Sequence, residues 1–337
     1  MGIPKLNKLL MEKCSSKSIQ KIHMEELYGK KIAVDISIYL YKFLCDDYFM
    51  EHVYLFLSIF KYYCIEPIFV FDGKPPAEKN AVLKRRYCEK QEAHNEYLTL
   101  EQKMNELTDP TEIFELQQKM VSLKKKMVRL TYYHIDQAIE LIDAFGFQYY
   151  LAPQEADQLC VYLTVTGKTY ACMSDDMDII VASCPLVIRN LNLMTHEAIL
   201  YNTKNILCDL NVNIKEFREV VVLSGTDYET DMVVKQNTIH LKKAFEYFYQ
   251  YRKCLLDSCE EGGDEPVIKS TITNFYEWLN EKKIIQNTDF EKICSLFDIN
   301  KYLCEMSDFV RKNTVKRPKM SVPTIKKIMQ KYKFIFV

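Results

Sequence analysis

The sequence predicts an α/β protein whose central sheet is mostly parallel, with helices on both faces. The evidence is three apolar runs that each end in aspartate: Lys31 to Ser37, Pro67 to Gly73 and Tyr170 to Ile180. Short apolar runs are typical of buried strands, and the helical patterns between them are typical of parallel connections. Because ligands bind at the carboxyl ends of parallel strands, we expect these aspartates to meet in one site.

The composition is that of a folded protein with one domain, or with one domain and an extension. Of the 337 residues, 48% are hydrophobic, which is enough for a large core. The twelve cysteines include no Cys-x-x-Cys pair, and the longest apolar run is shorter than the roughly 20 residues that a membrane helix needs. We therefore expect a nuclear or cytoplasmic protein that is neither secreted nor membrane-bound.

The amino-terminal part is predicted to be a helix, a strand and a second helix. Residues 3–10 carry apolar side chains at helical spacing, and Lys31 to Ser37 is the first strand. The aromatic-rich residues 38–64 are helical in pattern, and most of their rings belong in the core. Tyr41 follows the strand aspartate Asp35 by six residues, and its ring could instead stack on a nucleic-acid base.

Two long polar helices are predicted after the second strand, over residues 77–106 and 111–145. They have few apolar residues for their length, so we expect them to pack on each other and to stand away from the sheet. Lys79 and Arg86 lie seven residues apart, on one face of the first helix. They are either ordinary surface charges or cations that contact a phosphate near Asp72.

Further acidic side chains follow later predicted elements. Glu155 and Asp157 open a helix, where they can contact one ion but also suit the helix dipole. The strand of residues 185–190 carries Arg189, and an apolar segment leads to Asp227 in the turn LSGTDY.

Oxygen ligands without nearby histidine or cysteine favour Mg²⁺ or Mn²⁺ over zinc. The net charge is −1, but basic residues cluster in residues 79–90 and 301–333. Either cluster could be a solvated helix face. Beside an acidic metal site, however, both suit a phosphate backbone.

Six blocks in order, MGIPKLNKLL, AVDISIYLYKF, FVFDGKPPAEK, APQEADQLC, SDDMDII and LSGTDY, resemble the flap endonuclease group of the XPG-type 5′ nucleases. The resemblance covers roughly residues 1–230. It implies a 5′-nuclease (PIN-like) fold with a helical arch and a helical C-terminal part. It also implies two Mg²⁺ ions, replaceable by Mn²⁺, and cleavage of DNA where duplex meets 5′ single strand, in replication, repair or recombination.

The resemblance also assigns roles to individual residues. Lys79 and Arg86 become catalytic cations, and Gly2 and Tyr41 become DNA contacts. Arg189, Lys242 and Lys243 are further candidate DNA contacts. The implied metal ligands are Asp35, Asp72, Glu155, Asp157, Asp176, Asp178 and Asp227, with Asp175 as a neighbour that binds no metal.

The predicted organisation is a nuclease core over residues 1–230, with an arch at about 77–131, a degenerate helical hairpin over 231–258, and an acidic linker with a basic helical extension over 259–337. The short interval from Asp35 to Asp72 indicates a trimmed junction wedge. No glycine lies between Gly225 and Gly262, so we expect weakened or altered potassium-dependent duplex binding. The end of the chain shows no sliding-clamp motif. These departures are compatible with a divergent member, viral or parasitic.

Three alternatives stay open at this point. A 5′–3′ exonuclease acting on nicks, gaps or ends would use the same residues. A scaffold that binds nucleic acid without cutting would have no use for so many repelling acids. A phosphatase built on Asp176-Met177-Asp178 would leave Asp35, Asp72 and Asp227 without a role. The expected partner is DNA with a 5′ flap, nick, gap or end, bound by a monomer.

Overall fold

The computed structural model describes residues 3–46, 48–76, 79–104, 109–228, 238–260, 274–286, 290–313 and 318–336. The strands are β1 Ile19–His23, β2 Lys31–Asp35, β3 Glu66–Phe71, β4 Gln148–Leu151, β5 Ala171–Met173, β6 Leu186–Arg189 and β7 Glu197–Asn202. The helices are α1 Leu6–Lys13, α2 Ile36–Leu44, α3 Phe49–Tyr62, α4 Asn80–Met104, α5 Pro110–Met127, α6 Tyr132–Phe145, α7 Ala156–Val165, α8 Asp178–Val181, α9 Thr203–Asp209, α10 Ile214–Val222, α11 Leu241–Glu260, α12 Phe275–Glu281, α13 Phe290–Leu296, α14 Leu303–Lys312 and α15 Val322–Gln330.

The strands of the described residues form one sheet in the order β1-β7-β6-β5-β2-β3-β4. The pairs from β6 to β4 are parallel, whereas β7 runs antiparallel to β6 and to β1. This confirms the mostly parallel α/β prediction. The sequence analysis missed β1 and β7, which lie together at one edge. Gln20 and Lys21 are exposed in β1, so that strand lacks the apolar run of a buried strand.

The two faces of the sheet bury alternate residues of the same strands, as the period of two requires. Ile32, Val34 and Phe69 pack against α2, α3 and α6. Ala33 and Ile68 pack on the other face against α1, α7 and α10. All five side chains are at most 4% exposed. The central strands are thereby held from both sides, and so are the loops at their carboxyl ends.

The prediction of one helix over residues 111–145 was wrong, because the chain breaks between α5 and α6. Val128 and Thr131 adopt extended backbone conformations, and Thr131 is the N-cap of α6, with its N–H donating to His134 Nδ1. The apolar side chains before the break pack against a different element from those after it. Leu123 packs against α4, whereas Leu141 and Ile142 are fully buried on the sheet.

Helices α4 and α5 pack on each other, as predicted, and form the helical arch. Their small shared core contains Ala93, Leu100, Met120 and Leu123 and is separate from the two cores of the sheet. The predicted break at residues 108–110 falls partly outside the described residues. The helix pair is therefore held together by its own few apolar side chains and not by the cores of the sheet.

The C-terminal helices pack on both faces of the sheet. Ile325, Ile328 and Met329 of α15 join the core beside α6, and the rings of Phe334 and Tyr54 lie 4.9 Å apart. Helices α12 to α14 cover the other face. Most of the predicted hairpin turn and acidic linker, residues 229–237 and 261–273, lies outside the described residues. Among the helices that are described, none has the length and apolarity to cross a membrane.

Gly73, in the turn after β3, lies close to the segment before α7. Its backbone N–H donates to the Gln154 carbonyl at 2.6 Å. A Cβ added at Gly73 would lie 1.9 Å from the Ala152 carbonyl oxygen. We expect Gly73→Ala to lower the free energy of unfolding by about 1–3 kcal/mol, because backbone must move to relieve the overlap. Urea denaturation measures the change.

The control is Gly29→Ala. No atom lies within 4 Å of the added Cβ there, and only the left-handed φ of 67° opposes the substitution. That strain costs roughly 1 kcal/mol. A Gly73→Ala protein as stable as the wild type would contradict the close approach between the end of β3 and the segment before α7.

Candidate active site

The ends of adjacent strands bring the predicted aspartates together. Asp35 is the last residue of β2, which lies between β3 and β5 in the sheet. Asp72 follows β3 directly, and Asp176 and Asp178 follow β5. Because these three strands are parallel, their carboxyl ends meet at one edge.

A cleft of about 300 Å³ opens at this edge, beneath the start of α4. It contains six of the seven carboxylates that were predicted as metal ligands, together with Tyr41, Lys79 and Arg86. The six are Asp35, Asp72, Glu155, Asp157, Asp176 and Asp227. Asp178 is 3% exposed and lies close to Asp176, whose charge raises the pKa of Asp178. The structure therefore brings all seven into one neighbourhood.

Hydrogen bonds from distant parts of the chain orient three of these carboxylates. Ser174 Oγ donates to Asp35 at 2.8 Å. The backbone N–H of Ala156, at the start of α7, donates to Asp72 at 2.9 Å. The N–H of Ile3 donates to Asp178 at 3.1 Å, which links the amino terminus to the site.

The acidic cleft carries more negative charge than its surroundings neutralise. Burial raises the pKa of Asp35, and the charge of Asp72 raises it further. Burial and Asp176 do the same to the pKa of Asp178. Burial and the neighbouring Glu155 raise the pKa of Asp157 to about 7. Such a group of oxygen donors fits hard divalent cations, which would remove the repulsion.

The side chains are not gathered into a finished coordination shell. Across the described residues, no three His, Cys, Asp or Glu side chains are placed as a ready-made metal site. Two carboxylates instead pair with cations of the arch. Lys79 Nζ lies 2.6 Å from Glu155 Oε1, and Arg86 Nη2 lies 2.6 Å from Asp227 Oδ2. These ion pairs would compete with metal ions for the same carboxylates.

Lys79 is held in its charged form. Its burial opposes the charge, but the carboxylates of Asp157 and Glu155 outweigh that effect and raise the pKa above its ordinary value. Lys79 and Arg86, both predicted as catalytic cations, therefore face the cleft from the arch. Both are paired there with carboxylates of the cleft.

Tyr228 is a site residue that the sequence analysis missed. Its hydroxyl donates to Glu155 Oε2 at 2.9 Å, and Lys79 Nζ lies 4.5 Å from the centre of its ring. It therefore contacts both members of an ion pair and restricts where each can move. Its position directly after the predicted metal ligand Asp227, in LSGTDY, could have indicated that it lies in the site.

A second cavity, of about 730 Å³, continues from the acidic cleft along the base of the arch. Tyr41 and Arg86 line both cavities, and the Tyr41 side chain is 38% exposed between them. Burial lowers the pKa of Lys90, and the charges of Arg129 and Arg86 lower it further. We call this cavity the basic groove. Its charged side chains are Lys42, Arg86, Lys90, Lys125, Lys126, Arg129 and Asp175.

Asp175, predicted to bind no metal, is buried and pairs with Lys42, and its side chain also accepts from the N–H of Asn190 at 2.7 Å.

Three of the predicted DNA contacts, Gly2, Lys242 and Lys243, are not found in the cleft or the groove. Gly2 is outside the described residues. Lys242 and Lys243, on α11, are half exposed and pair with Glu12 and Glu246. Neither lysine lines the cleft or the groove.

Arg189 was predicted to contact DNA, but the structure contradicts an exposed position for it. The side chain is 7% exposed, and Nη2 donates to the Asp175 carbonyl at 2.6 Å. Nη1 donates to Asn7 Oδ1 at 3.1 Å. Arg189 thus holds the turn that carries Asp176 and Asp178. A basic residue in a sequence carries no signal of whether it is buried.

We expect Arg189→Met to lower the free energy of unfolding by about 1–3 kcal/mol, because it removes the donor to the Asp175 carbonyl and one of the two donors to Asn7 Oδ1, which also accepts from the Tyr201 hydroxyl. Urea denaturation measures this loss. Lys243→Met is the matched control, since it removes an exposed charge whose ion pair contributes about 0–1 kcal/mol. A stable Arg189→Met protein with weakened DNA binding would instead support the original prediction.

Comparison with known families agrees with this geometry. The family model described as the XPG N-terminal domain matches residues 1–93, and the XPG I-region model matches residues 146–227. Together they cover just over half of the chain. The interval between them contains most of the arch.

Curated relatives include Flap endonuclease 1 of Vanderwaltozyma polyspora, 29% identical over 251 residues, and Flap endonuclease 1 of Candida glabrata, 30% identical over 251 residues. Each match covers 68% of this chain and 62% or 61% of the relative. The match therefore spans about three fifths of the length of these relatives.

The fold is similar to solved structures over nearly the whole chain. The catalytic core of Rad2 in complex with DNA substrate superposes with a TM-score of 0.60 at 20% identity, covering 98% of this chain and 93% of that one. Flap endonuclease-1 from Methanococcus jannaschii gives a TM-score of 0.53 at 19% identity, covering 94% and 95%. With both XPG regions matched in order and the fold shared, this chain belongs to the XPG family.

Proposed function

We propose that this protein is a structure-specific 5′ nuclease that hydrolyses DNA phosphodiesters near the junction of duplex and 5′ single strand. One observation carries the proposal: the acidic cleft and the basic groove are neighbours that share Tyr41 and Arg86 in their linings, so a group of acids suited to cations lies beside a group of cations suited to phosphates. Relatives named flap endonuclease and a similar fold solved with DNA substrate support it.

The carboxylates suit two divalent ions, Mg²⁺ or Mn²⁺, because all of the donors are hard oxygen atoms. Bound ions would supply an activated water and stabilise the charge that develops on the scissile phosphate. The residues that would hold them are Asp35, Asp72, Glu155, Asp157, Asp176, Asp178 and Asp227. Burial of Asp35 and Asp178 fixes the floor of the site, while Glu155 and Asp227 form its exchangeable side.

Lys79 and Arg86 would bind the oxygens of the scissile phosphate. Both cations contact the carboxylates from the side of the arch. A phosphate that binds between the arch and the cleft would therefore lie next to both positive charges. The raised pKa keeps Lys79 protonated, and a guanidinium can donate two parallel hydrogen bonds to a phosphate. Their contribution grows as negative charge develops on the phosphate.

The basic groove would hold phosphates next to the scissile bond. Its lysines and arginines lie around the base of α4 and α5, so the phosphates of a flexible strand would contact several cations there. Tyr41 lies where the groove meets the cleft, with Lys90 Nζ 5.5 Å from its ring centre. A base beside the scissile phosphate could stack there.

A 5′–3′ exonuclease acting on nicks, gaps or ends is the second candidate. The observation that favours it is the connection between α2 and α3, which spans only residues 45–48. Such a short connection leaves little chain with which to separate two duplexes. Cutting of labelled flap, nicked, gapped and single-stranded DNA in Mg²⁺ distinguishes the two functions.

We expect Asp178→Asn to lower the rate of DNA cutting by about 100-fold or more, since even indirect supports of metal ligands contribute 10–100-fold. Binding of DNA should persist, because the basic groove is intact. The measurement is single-turnover cutting of a 5′-labelled flap, with binding followed in Ca²⁺. Asp308→Asn, which changes an exposed acid on α14, is the control. Full activity of Asp178→Asn would refute the proposed site.

We expect Lys79→Ala and Arg86→Ala each to reduce the single-turnover rate by roughly 10²–10³-fold, the loss typical of one preorganised group that stabilises developing charge. DNA affinity should change much less. Arg85→Ala is a close control, because Arg85 neighbours Arg86 but pairs with Glu89 on another face of α4. Equal losses in all three variants would mean that the arch contributes only general attraction.

A further inference from the structure

Three tyrosine side chains near the arch are unusually exposed. Tyr48, just before α3, is 62% exposed, and Tyr132 and Tyr133, in the first turn of α6, are 88% and 67% exposed. Their neighbours bring the two segments together, because the rings of Phe49 and His134 pack edge to face at 5.4 Å. Grouped aromatic rings left in water commonly mark a binding surface. We call these three residues the tyrosine patch.

The patch is held in place by the protein core. His134 Nδ1 accepts from the N–H of Thr131 at 3.2 Å, which fixes the first turn of α6. Further along the same helix, Leu141 and Ile142 are fully buried. The rings of Tyr132 and Tyr133 therefore project from an anchored helix end, so little backbone entropy is lost when a planar group stacks on them.

Residues close in sequence to the patch line the basic groove. Cys45 and Leu130 line the groove, and Tyr48 and Tyr132 follow them by three and two residues. Nearby Lys125, Lys126 and Arg129 also line the groove, and none of them forms an ion pair with another described residue. Unpaired cations beside exposed rings complement a polyanion that also carries planar apolar groups.

We propose that the tyrosine patch stacks unpaired bases of single-stranded nucleic acid whose phosphates lie in the basic groove. The inference rests on the proposed function in one respect, which is that this strand is part of the substrate. A strand with free bases is favoured over an acidic protein, because the exposed rings of the patch follow closely, along the chain, on residues that line a groove with six cationic side chains. Stacking tolerates any sequence, since every base has an aromatic face.

The binding of two labelled oligomers in EDTA tests the proposal: an oligothymidylate and an abasic strand of the same length. We expect Tyr132→Ala/Tyr133→Ala to weaken oligothymidylate binding by about tenfold or more and to leave abasic binding unchanged. The Tyr132→Phe/Tyr133→Phe protein keeps the rings and should bind like the wild type. Tyr28→Ala removes a ring that is 69% exposed at the opposite end of β2, so it should change neither affinity.

Salt dependence separates stacking from attraction to phosphate. The double alanine variant should keep the wild-type slope of log affinity against log salt, whereas Lys126→Ala should reduce it by about 0.7. Equal losses on both oligomers, or no loss on either, would overturn the stacking proposal. Because EDTA prevents cutting, failure of the wild type to cleave DNA in Mg²⁺ would overturn the proposed function and leave the stacking result standing.

Discussion

Repulsion among buried carboxylates is the constraint on which the rest of this structure depends. The sheet places acids from separate parts of the chain at one edge, and burial raises the pKa of Asp35 and Asp178 because their charge is poorly compensated. Charge of this density needs cations. The chain offers two of its own, Lys79 and Arg86, and both come from the arch. The charge balance of the site therefore depends on the position of the arch.

This coupling explains why the basic groove lies where it does. Helix α4 carries Arg86 into the cleft and Lys90 along the groove, and Lys79 lies directly before its first residue. A phosphate backbone in the groove would contact α4, the helix whose Arg86 pairs with a carboxylate of the cleft. Binding of a strand and rearrangement of the site would therefore both involve α4. The small core of the arch, separate from the sheet, leaves that element free to respond.

The elements that the sequence analysis missed share a cause. Strand β1 pairs at the edge of the sheet, where Gln20 and Lys21 can stay in water, so it lacks the apolar run that marked β2. The break before α6 contains neither glycine nor proline, so the usual breakers of a helical pattern are missing, and the N-cap Thr131 was passed over. The burial of Arg189 follows from contacts with Asn7 and Asp175, far away in sequence.

The sequence by itself determined the α/β class, the strand ends that carry the acids, and the hard-oxygen chemistry of the site, because apolar runs and their boundaries are local properties. Only the tertiary structure decided that β2 lies between β3 and β5, that Lys79 meets Glu155 across 76 residues, and that Ile3 donates to Asp178 across 175. Such contacts depend on how the two faces of the sheet are packed, and no local pattern encodes that packing.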